Sequence, residues 1–491
     1  MRDAPLASCN ESEWLSTTNR MEAGTREVLQ VADRRATVVL GLVLALAPIT
    51  SGPSAGAVTA PSDDSGECVY SASAARDARA LRSAVGIASD PAIVESSFTD
   101  AAFACTRWGI PLTEQEIDQF QLVLAAQDEL TNAIVPLMAR DDYAGAYFEA
   151  DALTIAFTRE TADVRSELEE VMRRHSVTIT EAQFTEAELQ TVADEVRAQY
   201  AAIEASGIEI VLVAVDPRAN RVEVGVASAL DDAVKYLGSM FGESVMVTHR
   251  PHGHGGLLAC TVDNCETKGG LYIRKGTLAV RQCTSGFLAR ARKYGSSIWK
   301  KYILTAGHCL EGTASHLKWQ NGAQSITWGE DEAWHLFNGG GILNDLGLIR
   351  MGNVTPARWN EYYRPAVWPI EGSTHPSNQL IGHIVCRHGW SSGAGCGRIL
   401  RRNADIKVDG TWYYLTWEVE LRSRKGDSGA GFYREIRPDN TTMLTAYGIL
   451  SGGQSLSGGY LTYYYPADNV FASQGPGTGT YIIEPCTTSS C

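Results

Sequence analysis

Several patterns that would assign the chain to a large protein class are missing from its sequence. No two cysteines have the CxxC spacing typical of zinc sites, and no long-period repeat or heptad run is present, which argues against a zinc domain, a solenoid or a coiled coil. The net charge of −15 argues against nucleic acid as a partner of the whole chain. The apolar run at residues 37–49 is shorter than the roughly 20 residues that cross a membrane, so we expect no stable membrane span.

The same apolar run predicts a secretory signal. Arg34 and Arg35 precede it, and small residues follow it, with 55–57 and 58–60 as candidate cleavage sites. We interpret residues 1–60 as an N-terminal extension and signal, with Met21 as an alternative start and an uncut signal anchor as the less favoured alternative. A secreted, extracellular protein is therefore expected.

The number of cysteines fits an exported chain. Eleven are present, and an even number remains after the predicted loss of Cys9 with the signal, which favours disulfides. His252 and His254 fall in a glycine-rich connector, so we expect no metal and no cofactor. The predicted disulfides are Cys283–Cys309, Cys386–Cys396, Cys260–Cys265, Cys486–Cys491 and Cys68–Cys105.

Charge divides the chain into two modules. Residues 61–250 carry a net charge of about −19, and residues 251–491 carry about +5. Opposite charges predict that the two modules attract each other, although an acidic face selected for solubility explains the numbers equally well.

The two modules also differ in periodicity. Residues 61–256 combine helical patterns at 160–174 and 185–206 with strand-like runs and a hairpin turn at 216–220, which indicates an α+β module without a visible catalytic cluster. Its strand-like runs are 152–158, 208–215, 221–226 and 244–248. Residues 257–491 contain short β-branched and aromatic runs between glycines, which indicates an all-β barrel or sandwich. Examples are 301–304, 346–350, 382–386, 412–417 and 444–450.

Four motifs in the second module carry the groups that nucleophilic catalysis requires. A serine hydroxyl needs a base, a carboxylate that orients the base, and N–H donors for the oxyanion. GDSG (426–429) supplies the serine, TAGHC (305–309) supplies a histidine, and NDLGLI (344–349) places a carboxylate at the start of an apolar strand. GILSGG (448–453) predicts a strand that runs into a glycine pair and suits pairing with an extended peptide.

In this order and spacing the motifs resemble the chymotrypsin superfamily, and most closely its bacterial branch with α-lytic protease and the streptogrisins. Residues 386–397 and 283–287 add to this likeness, which covers roughly 267–468. Residues 215–226 are similar to a strand-turn-strand in the long pro-regions of that branch. The resemblance implies a double β-barrel with the site between the barrels, behind an acidic pro-region that helps folding, inhibits the protease and is then removed.

The resemblance also assigns roles to individual residues. His308 acts as general base and then as acid, Asp345 orients it, and Ser428 attacks the scissile carbonyl. The N–H groups of Gly426 and Ser428 form the oxyanion hole. The residues expected to bind the substrate are Ser451, which also lies behind Asp345, and Gly452, Gly453, Ser423 and Lys425.

The sequence departs from the family pattern around the specificity pocket. Ala430 replaces the second glycine of GDSGG, and no cysteine lies where the family often has a disulfide to the pocket wall. Arg422, Arg424 and Lys425 suggest a preference for an acidic residue before the cut bond, but side chains that point to solvent are the favoured interpretation. His388 is expected on the surface.

We therefore expect a secreted serine endopeptidase made as a zymogen, with 61–256 as an α+β pro-region and 257–491 as a trypsin-like protease domain. Its partners would be protein or peptide substrates and its own pro-region, which would be cut somewhere in 251–268, and the chain is expected to be a monomer. One alternative is a catalytically inactive homologue that binds proteins, against which the complete triad argues. The other is an esterase, against which the order His, Asp, Ser argues.

Overall fold

The structure, a computed structural model, describes the chain from Cys68 to Pro485 with gaps. Within this part of the chain no helix is both long and apolar enough to cross a membrane. The predicted signal and the predicted pairs Cys260–Cys265 and Cys486–Cys491 lie outside the described residues. The gaps are 160–161, 252–253, 256–266, 271, 276–281, 294–295, 311–317, 322–326, 334–335, 339–340, 344, 352–355, 362–366, 409, 437–442, 457–458 and 467–480.

The described residues 68–255, which we name the N-terminal segment, mix helices and strands as the sequence predicts. The helices are α1 (Ala72–Ala84), α2 (Pro91–Ser97), α3 (Glu114–Ile134), α4 (Ala162–Glu167), α5 (Glu169–Met172), α6 (Glu186–Ala198), α7 (Tyr200–Ala205) and α8 (Leu230–Phe241). The strands are β1 (Ala104–Cys105), β2 (Pro111–Leu112), β3 (Tyr143–Glu149), β4 (Ala152–Phe157), β5 (Val177–Glu181), β6 (Ile210–Asp216), β7 (Arg221–Val226), β8 (Val245–His249) and β9 (His254–Gly255).

Local sequence signals account for most of these elements. The strand-like runs are confirmed by β4, β6, β7 and β8, and β6 and β7 form the predicted hairpin, in which Asn220 has a φ of +49°. The predicted helix at 185–206 begins at the N-cap Thr185, whose side chain accepts from the N–H of Glu188, but it breaks at Gln199 into α6 and α7. The predicted helix at 160–174 likewise breaks at Leu168 into α4 and α5.

The described residues 267–485, which we name the C-terminal segment, are almost entirely strands. Its helical turns are short 3₁₀ turns at Gly307–Cys309 and Pro376–Asn378. The first strands are β10 (Thr267–Gly269), β11 (Tyr272–Lys275), β12 (Gln282–Thr284), β13 (Leu288–Lys293), β14 (Lys300–Thr305), β15 (Lys318–Asn321), β16 (Thr327–Ala333), β17 (Leu336–Asn338), β18 (Gly341–Leu343) and β19 (Gly347–Met351). The later strands are β20 (Pro356–Glu361), β21 (Val367–Ser373), β22 (Ile384–Gly389), β23 (Gly393–Val408), β24 (Thr411–Val419), β25 (Gly431–Ile436), β26 (Met443–Leu456), β27 (Gly459–Pro466) and β28 (Tyr481–Pro485).

Two sheets hold the strands of the C-terminal segment. The first has the order β12-β11-β15-β16-β19-β14-β13-β28. The second has β17-β18-β24-β27-β26-β25-β22-β23 and continues into β6-β7-β8, with β9, β10, β20 and β21 attached. The predicted runs in this half are confirmed by β14, β19, β22, β24 and β26.

The second sheet crosses from one segment into the other. β6 pairs antiparallel with β23 through Val213 with Asp405 and Leu212 with Ile406. One hydrophobic cluster also contains side chains of both segments, such as Trp108 and Phe120 with Phe287, Ile384 and Ile449. The two segments therefore share a sheet and a core, which no local sequence pattern predicted.

Candidate active site

His308 and Asp345 are brought together by the pairing of two strands. His308 follows β14 in the turn Gly307–Cys309, and Asp345 lies just before β19, the neighbour of β14. The two ring-to-carboxylate atoms, His308 Nδ1 and Asp345 Oδ2, are 2.6 Å apart, and the backbone N–H of His308 donates to Asp345 Oδ1 at 2.7 Å. Contacts at both carboxylate oxygens hold the imidazole in one orientation.

The carboxyl group of Asp345 is held in its ionised form. Its residue is fully buried, which alone would raise its pKa. The charge of His308 and the hydrogen bonds from His308 and Ser451 outweigh burial, so that the pKa lies below its usual value. An ionised carboxylate beside Nδ1 would stabilise a positive imidazolium ring.

Ser451 connects Asp345 with Ser428. Its hydroxyl donates to Asp345 Oδ2, and its backbone carbonyl accepts from Ser428 Oγ at 3.4 Å. Ser451 is on β26, and Ser428 is in the loop before β25, which pairs with β26. Asp345 and Ser428 therefore meet at Ser451 on β26, and His308 is connected to them through Asp345.

The loop that carries Ser428 depends on two glycines with a left-handed backbone. Gly426 has a φ of +98° and Gly429 a φ of +93°, a region that disfavours residues with a side chain. A Cβ on Gly429 would also lie 2.1 Å from Thr305 Oγ1 and 2.3 Å from the carbonyl oxygen of Thr284. The glycines of the GDSG motif thus let the loop that carries Ser428 lie directly against strands of the first sheet.

The carboxylate of Asp427 anchors the same loop on its other side. It accepts from the N–H groups of Arg424 at 2.8 Å, Ser391 at 2.9 Å and Ser392 at 3.1 Å. The side chain of Arg387 is an ion-pair partner at 3.6 Å. The bond from Arg424 lies within the loop, whereas Ser391 and Ser392 belong to the β22–β23 turn, which lies far away in the chain.

The backbone N–H groups around Ser428 divide into two sets. Those of Asp427, Gly429 and Ala430 donate to the carbonyls of Arg424 at 3.0 Å, Leu450 at 2.7 Å and Asp427 at 2.9 Å. Those of Gly426 and Ser428 take no part in these bonds. The N–H groups of the two predicted oxyanion donors are therefore not among the donors of these three backbone hydrogen bonds.

Polar contacts hold the predicted pocket loop. Arg387 donates through Nη2 to the carbonyl of Arg422, and Thr462 Oγ1 donates to the carbonyl of Leu421 at 2.7 Å. A Cβ on Gly453 would lie 2.0 Å from Ser423 Oγ, so this pair of predicted substrate-binding residues is in contact. These contacts connect residues 421–423 to β22, β26 and β27 without a disulfide.

The basic side chains before the serine loop have different environments. Arg424 is exposed, whereas Lys425 is half-buried. The Arg422 guanidinium donates to Ser73 Oγ at the start of α1 and lies 5.0 Å from the ring centre of Tyr460. Arg422 thus faces the N-terminal segment, and the preferred interpretation, that all of these side chains point to solvent, is wrong for Arg422.

Three disulfides are present among the described cysteines. Cys283–Cys309 joins β12 to the turn of His308, Cys386–Cys396 joins β22 to β23, and Cys68–Cys105 closes the start of the N-terminal segment. Cys283, Cys309 and His308 lie close enough together to hold a metal ion, but both sulfurs are in the disulfide and are therefore not thiolate ligands.

The expectation that His388 is a surface residue is wrong. The residue is half-buried on β22 beside the buried Arg387, and its Nδ1 atom is inaccessible to solvent. Burial, together with the nearby charge of Arg387, lowers the pKa of His388 to about 4. The prediction failed because the residue, expected in a loop, lies on a strand next to the loop that carries Ser428.

The end of the N-terminal segment lies on the strand that carries Ser451. β9 pairs antiparallel with β26 through Gly255 with Gln454 and His254 with Ser455. An antiparallel strand in this position runs toward Ser451. The described part of the N-terminal segment therefore ends, at Gly255, in a short extended strand directed toward Ser451.

Comparisons with known proteins agree on one class of relative. Serine protease 2 of Streptomyces fradiae is 30% identical over 174 residues, which are 35% of this chain and 87% of the relative. Streptogrisin-D of Streptomyces griseus is 26% identical over 186 residues, 36% of this chain and 41% of that protein. No protein-family model matches.

Solved structures of the same class align with less than half of the chain. Thermobifida fusca protease A has 22% identity and a TM-score of 0.32, and covers 42% of this chain and 95% of its own. Cellulomonas bogoriensis chymotrypsin has 22% identity and a TM-score of 0.32, and covers 42% of this chain and 94% of its own.

Proposed function

The chain belongs to the bacterial chymotrypsin-like serine proteases and is a serine endopeptidase, and from this premise we propose that His308, Asp345 and Ser428 form its catalytic triad. The observation that carries the proposal is the buried Asp345, whose carboxylate lies 2.6 Å from His308 Nδ1. A buried carboxylate that faces an imidazole nitrogen is the arrangement that orients a catalytic histidine and stabilises its positive form.

The proposed mechanism uses each group once in each half-reaction. Ser428 Oγ attacks the scissile carbonyl while His308 removes its proton, and the oxyanion accepts hydrogen bonds from the N–H groups of Gly426 and Ser428. His308 then gives the proton to the leaving amine, and the acyl-enzyme forms. Water attacks the ester with His308 again as base, which releases the carboxylic acid and restores Ser428. Asp345 stays ionised throughout.

Substrate binding is proposed to occur by addition of a strand to the edge formed by Ser451, Gly452 and Gly453. The Ser451 carbonyl lies next to Ser428, and a Cβ on Gly452 would meet no atom within 4 Å, which leaves room for a bound peptide. Ser423, in contact with Gly453, and the half-buried Lys425 would line the specificity pocket.

The C-terminal segment is proposed to form the two β-barrels of this family. The sheet with β14 and β19 would supply His308 and Asp345, and the sheet with β22 to β27 would supply Ser428 and Ser451. The catalytic groups would then lie between the barrels, which agrees with the contacts of Ser451 to both Asp345 and Ser428.

The N-terminal segment is proposed to be a pro-region that inhibits the protease until it is removed. β6 pairs with β23 and so extends the sheet, the Phe148 N–H donates to the Ile381 carbonyl at 2.8 Å, and β9 pairs with β26 next to the proposed substrate site. A strand in this position would hinder the approach of substrate to the neighbouring residues of β26. We propose that Ser428 cuts the chain within the expected range of 251–268.

Ion pairs between the segments support the proposed attraction, and each segment supplies acidic residues to some pairs and basic residues to others. Acidic residues of the N-terminal segment meet bases of the C-terminal one in Asp128–Arg434 at 2.6 Å, Glu204–Lys407 at 2.6 Å, Glu223–Arg401 at 2.7 Å and Glu186–Arg402. Bases of the N-terminal segment meet acids in Arg107–Glu435, Arg197–Asp405 and Arg250–Glu418. Net charge thus gives the sense of the attraction, while the individual pairs fix how the two surfaces fit.

The protein is proposed to be secreted. The disulfides form readily only in an oxidising compartment, which agrees with the secretory signal expected from the sequence. Protein substrates outside the cell and the pro-region of the same chain are the proposed partners.

The test of the proposed function is covalent labelling. The processed enzyme is treated with a peptidyl phosphonate, digested and analysed by mass spectrometry, and cleavage of casein is measured in parallel. We expect one label, on Ser428, and loss of caseinolysis in proportion to labelling. An unlabelled Ser428 together with intact casein would refute the endopeptidase and leave the inactive homologue.

His383 makes the stability of the precursor dependent on pH. It is 1% exposed between the two segments, with Nε2 2.9 Å from Thr131 Oγ1, Nδ1 3.3 Å from the Tyr447 hydroxyl, and its ring against Phe148. Burial, with the charges of Arg434 and Arg402, holds the pKa of His383 well below 6.5. The ring of His383 therefore stays neutral in the folded precursor, whereas in the unfolded chain it takes up a proton below pH 6.5.

We expect the free energy of unfolding of the inactive Ser428→Ala precursor to fall below pH 6.5 by about 1.4 kcal/mol per pH unit because of His383. Burial raises the pKa of Asp77 to about 6, so the contribution of Asp77 to the free energy of unfolding changes with pH in the opposite sense. The informative quantity is therefore the difference in pH dependence between a variant and its parent. Urea unfolding at pH 5 and pH 7.5 should show this component in the parent and in the exposed-histidine control His375→Gln, but not in His383→Gln. Equal pH dependence in all three would contradict it.

A further inference from the structure

Thr284, at the end of β12, has all its polar groups engaged in hydrogen bonds, and most of them hold the nucleophile loop. It is fully buried. Its N–H donates to the carbonyl of Ser428 at 2.7 Å, and its hydroxyl donates to the carbonyl of Gly426 at 2.5 Å. The hydroxyl also accepts from the N–H of Trp390 at 3.2 Å, and the Thr284 carbonyl accepts from Thr305 Oγ1 at 2.9 Å.

The two carbonyls that Thr284 holds belong to the two residues proposed to form the oxyanion hole. A carbonyl held by a hydrogen bond fixes the plane of the peptide to which it belongs, here the peptides Gly426–Asp427 and Ser428–Gly429. The peptide between these two carries the N–H of Ser428, and the peptide before the first carries the N–H of Gly426, whose backbone at φ +98° has little intrinsic restraint. Thr284 therefore fixes the peptides that adjoin the two proposed oxyanion donors.

Thr284 also connects the loop to the base. The preceding residue, Cys283, is bonded to Cys309, which is next to His308. The disulfide of Cys283 and the two hydrogen bonds that Thr284 donates thus connect the turn that carries His308 to the loop that carries Ser428. The strands next to this turn and this loop belong to different sheets. A Cβ on Gly429 would lie 2.3 Å from the Thr284 carbonyl, which shows how closely the loop rests on this strand.

We propose that Thr284 is a positioning residue that, through its hydroxyl, orients the oxyanion-hole loop relative to His308. The proposal rests on the proposed function, since it assigns the oxyanion role to Gly426 and Ser428. Transition-state stabilisation by backbone donors depends steeply on their direction, and a displacement of about 1 Å can cost about 100-fold in rate. Binding of the ground-state substrate depends on β26 and should be affected little.

The test compares Thr284→Val, which keeps the shape and removes the hydroxyl, with Thr284→Ser, which keeps the hydroxyl. The full chain is expressed and matured by limited digestion with an unrelated endopeptidase, so that maturation does not depend on the activity of the variant. We expect Thr284→Val to lower kcat by about 10- to 100-fold with KM changed less than about threefold, and Thr284→Ser to stay within about threefold of wild type. Thr284→Ala should behave like Thr284→Val if the valine variant does not fold.

A second readout separates positioning from loss of stability. A peptidyl boronic acid forms a tetrahedral adduct that uses the oxyanion donors, whereas the acid product of cleavage does not need them. In Thr284→Val, affinity for the boronic acid should fall with kcat, while affinity for the product peptide should not. The control is Thr416→Val, which removes the buried hydroxyl of a residue on β24 that donates to the Ala404 carbonyl on β23 at 3.0 Å. This substitution should change neither affinity.

The outcomes separate the inference from the function on which it rests. Wild-type enzyme labelled by the phosphonate on Ser428, together with wild-type kcat in Thr284→Val and Thr284→Ala, overturns the role of Thr284 alone. Equal loss of affinity for the boronic acid and the product peptide also overturns it, because that pattern indicates general disorder of the site. Absence of label on Ser428 in the wild-type enzyme overturns the proposed function itself.

Discussion

Ser428→Ala is expected to lower kcat about a millionfold, the size of effect seen when a nucleophilic serine is removed from a triad. The substitution removes one oxygen atom and leaves His308, Asp345 and the loop N–H groups in place. Without Oγ no acyl-enzyme can form, so only residual hydrolysis from substrate binding and the oxyanion donors remains. The measurement is steady-state cleavage of a peptide substrate by the matured variant.

The same variant should accumulate as an uncut precursor, because the proposed cut depends on Ser428. Gel analysis and mass spectrometry of the secreted product would show the intact chain in Ser428→Ala and the processed chain in the control Ser377→Ala, which changes an exposed serine. Added wild-type enzyme should then process the Ser428→Ala precursor. Normal processing of Ser428→Ala alone would show that another protease makes the cut.

The serine protease class was predictable from sequence because its motifs are local. TAGHC, NDLGLI and GDSG each place one proposed catalytic residue in a short context of small residues, and in the structure His308 contacts Asp345, while Asp345 and Ser428 both contact Ser451. Helix starts were also readable locally: Thr113 and Glu116 form a capping box at the start of α3, a pattern present in the sequence although α3 was not predicted.

Contacts between distant residues were not predictable. Glu223 and Arg401 lie 178 positions apart, and neither has a local pattern that marks it as buried or paired. The charge difference between the modules indicated an attraction but could not indicate that Arg197, Arg107 and Arg250 would pair in the reverse sense. His388 and Arg422 were misjudged for the same reason, since their environments are created by other parts of the chain.

Thr284 is an intermediate case. CTSGF was recognised as a family-like strand, so the residue was inside a motif, but a threonine in a strand is common and carries no sign of a role. Its importance follows only from which carbonyls lie opposite its hydroxyl and its N–H. Residues that orient catalytic groups are in general harder to find in a sequence than the catalytic groups themselves, because many side chains can occupy such a position.

Asp345→Asn is expected to lower kcat about 10⁴-fold, the loss that this substitution causes in a Ser-His-Asp triad. Asp345 accepts from the His308 backbone, faces His308 Nδ1 and accepts from the Ser451 hydroxyl. An amide has one acceptor oxygen instead of two, so its NH₂ group would face Nδ1 and favour the imidazole tautomer with the proton on Nε2. That tautomer cannot take the proton of Ser428.

The matched control is Glu420→Gln, which neutralises a carboxylate paired with Arg398 at 2.8 Å and should leave kcat within about threefold of wild type. KM should change little in both variants, because neither side chain is expected to contact the bound peptide itself. Since the pKa of Asp345 is lowered, its ionised form stabilises the fold at neutral pH, and this contribution is lost as the pH falls below 3.8. Asp345→Asn should therefore be less stable than wild type at pH 7, with a difference that shrinks in acid. Wild-type kcat in Asp345→Asn would show that His308 is oriented by another group and that Asp345 has only a structural role.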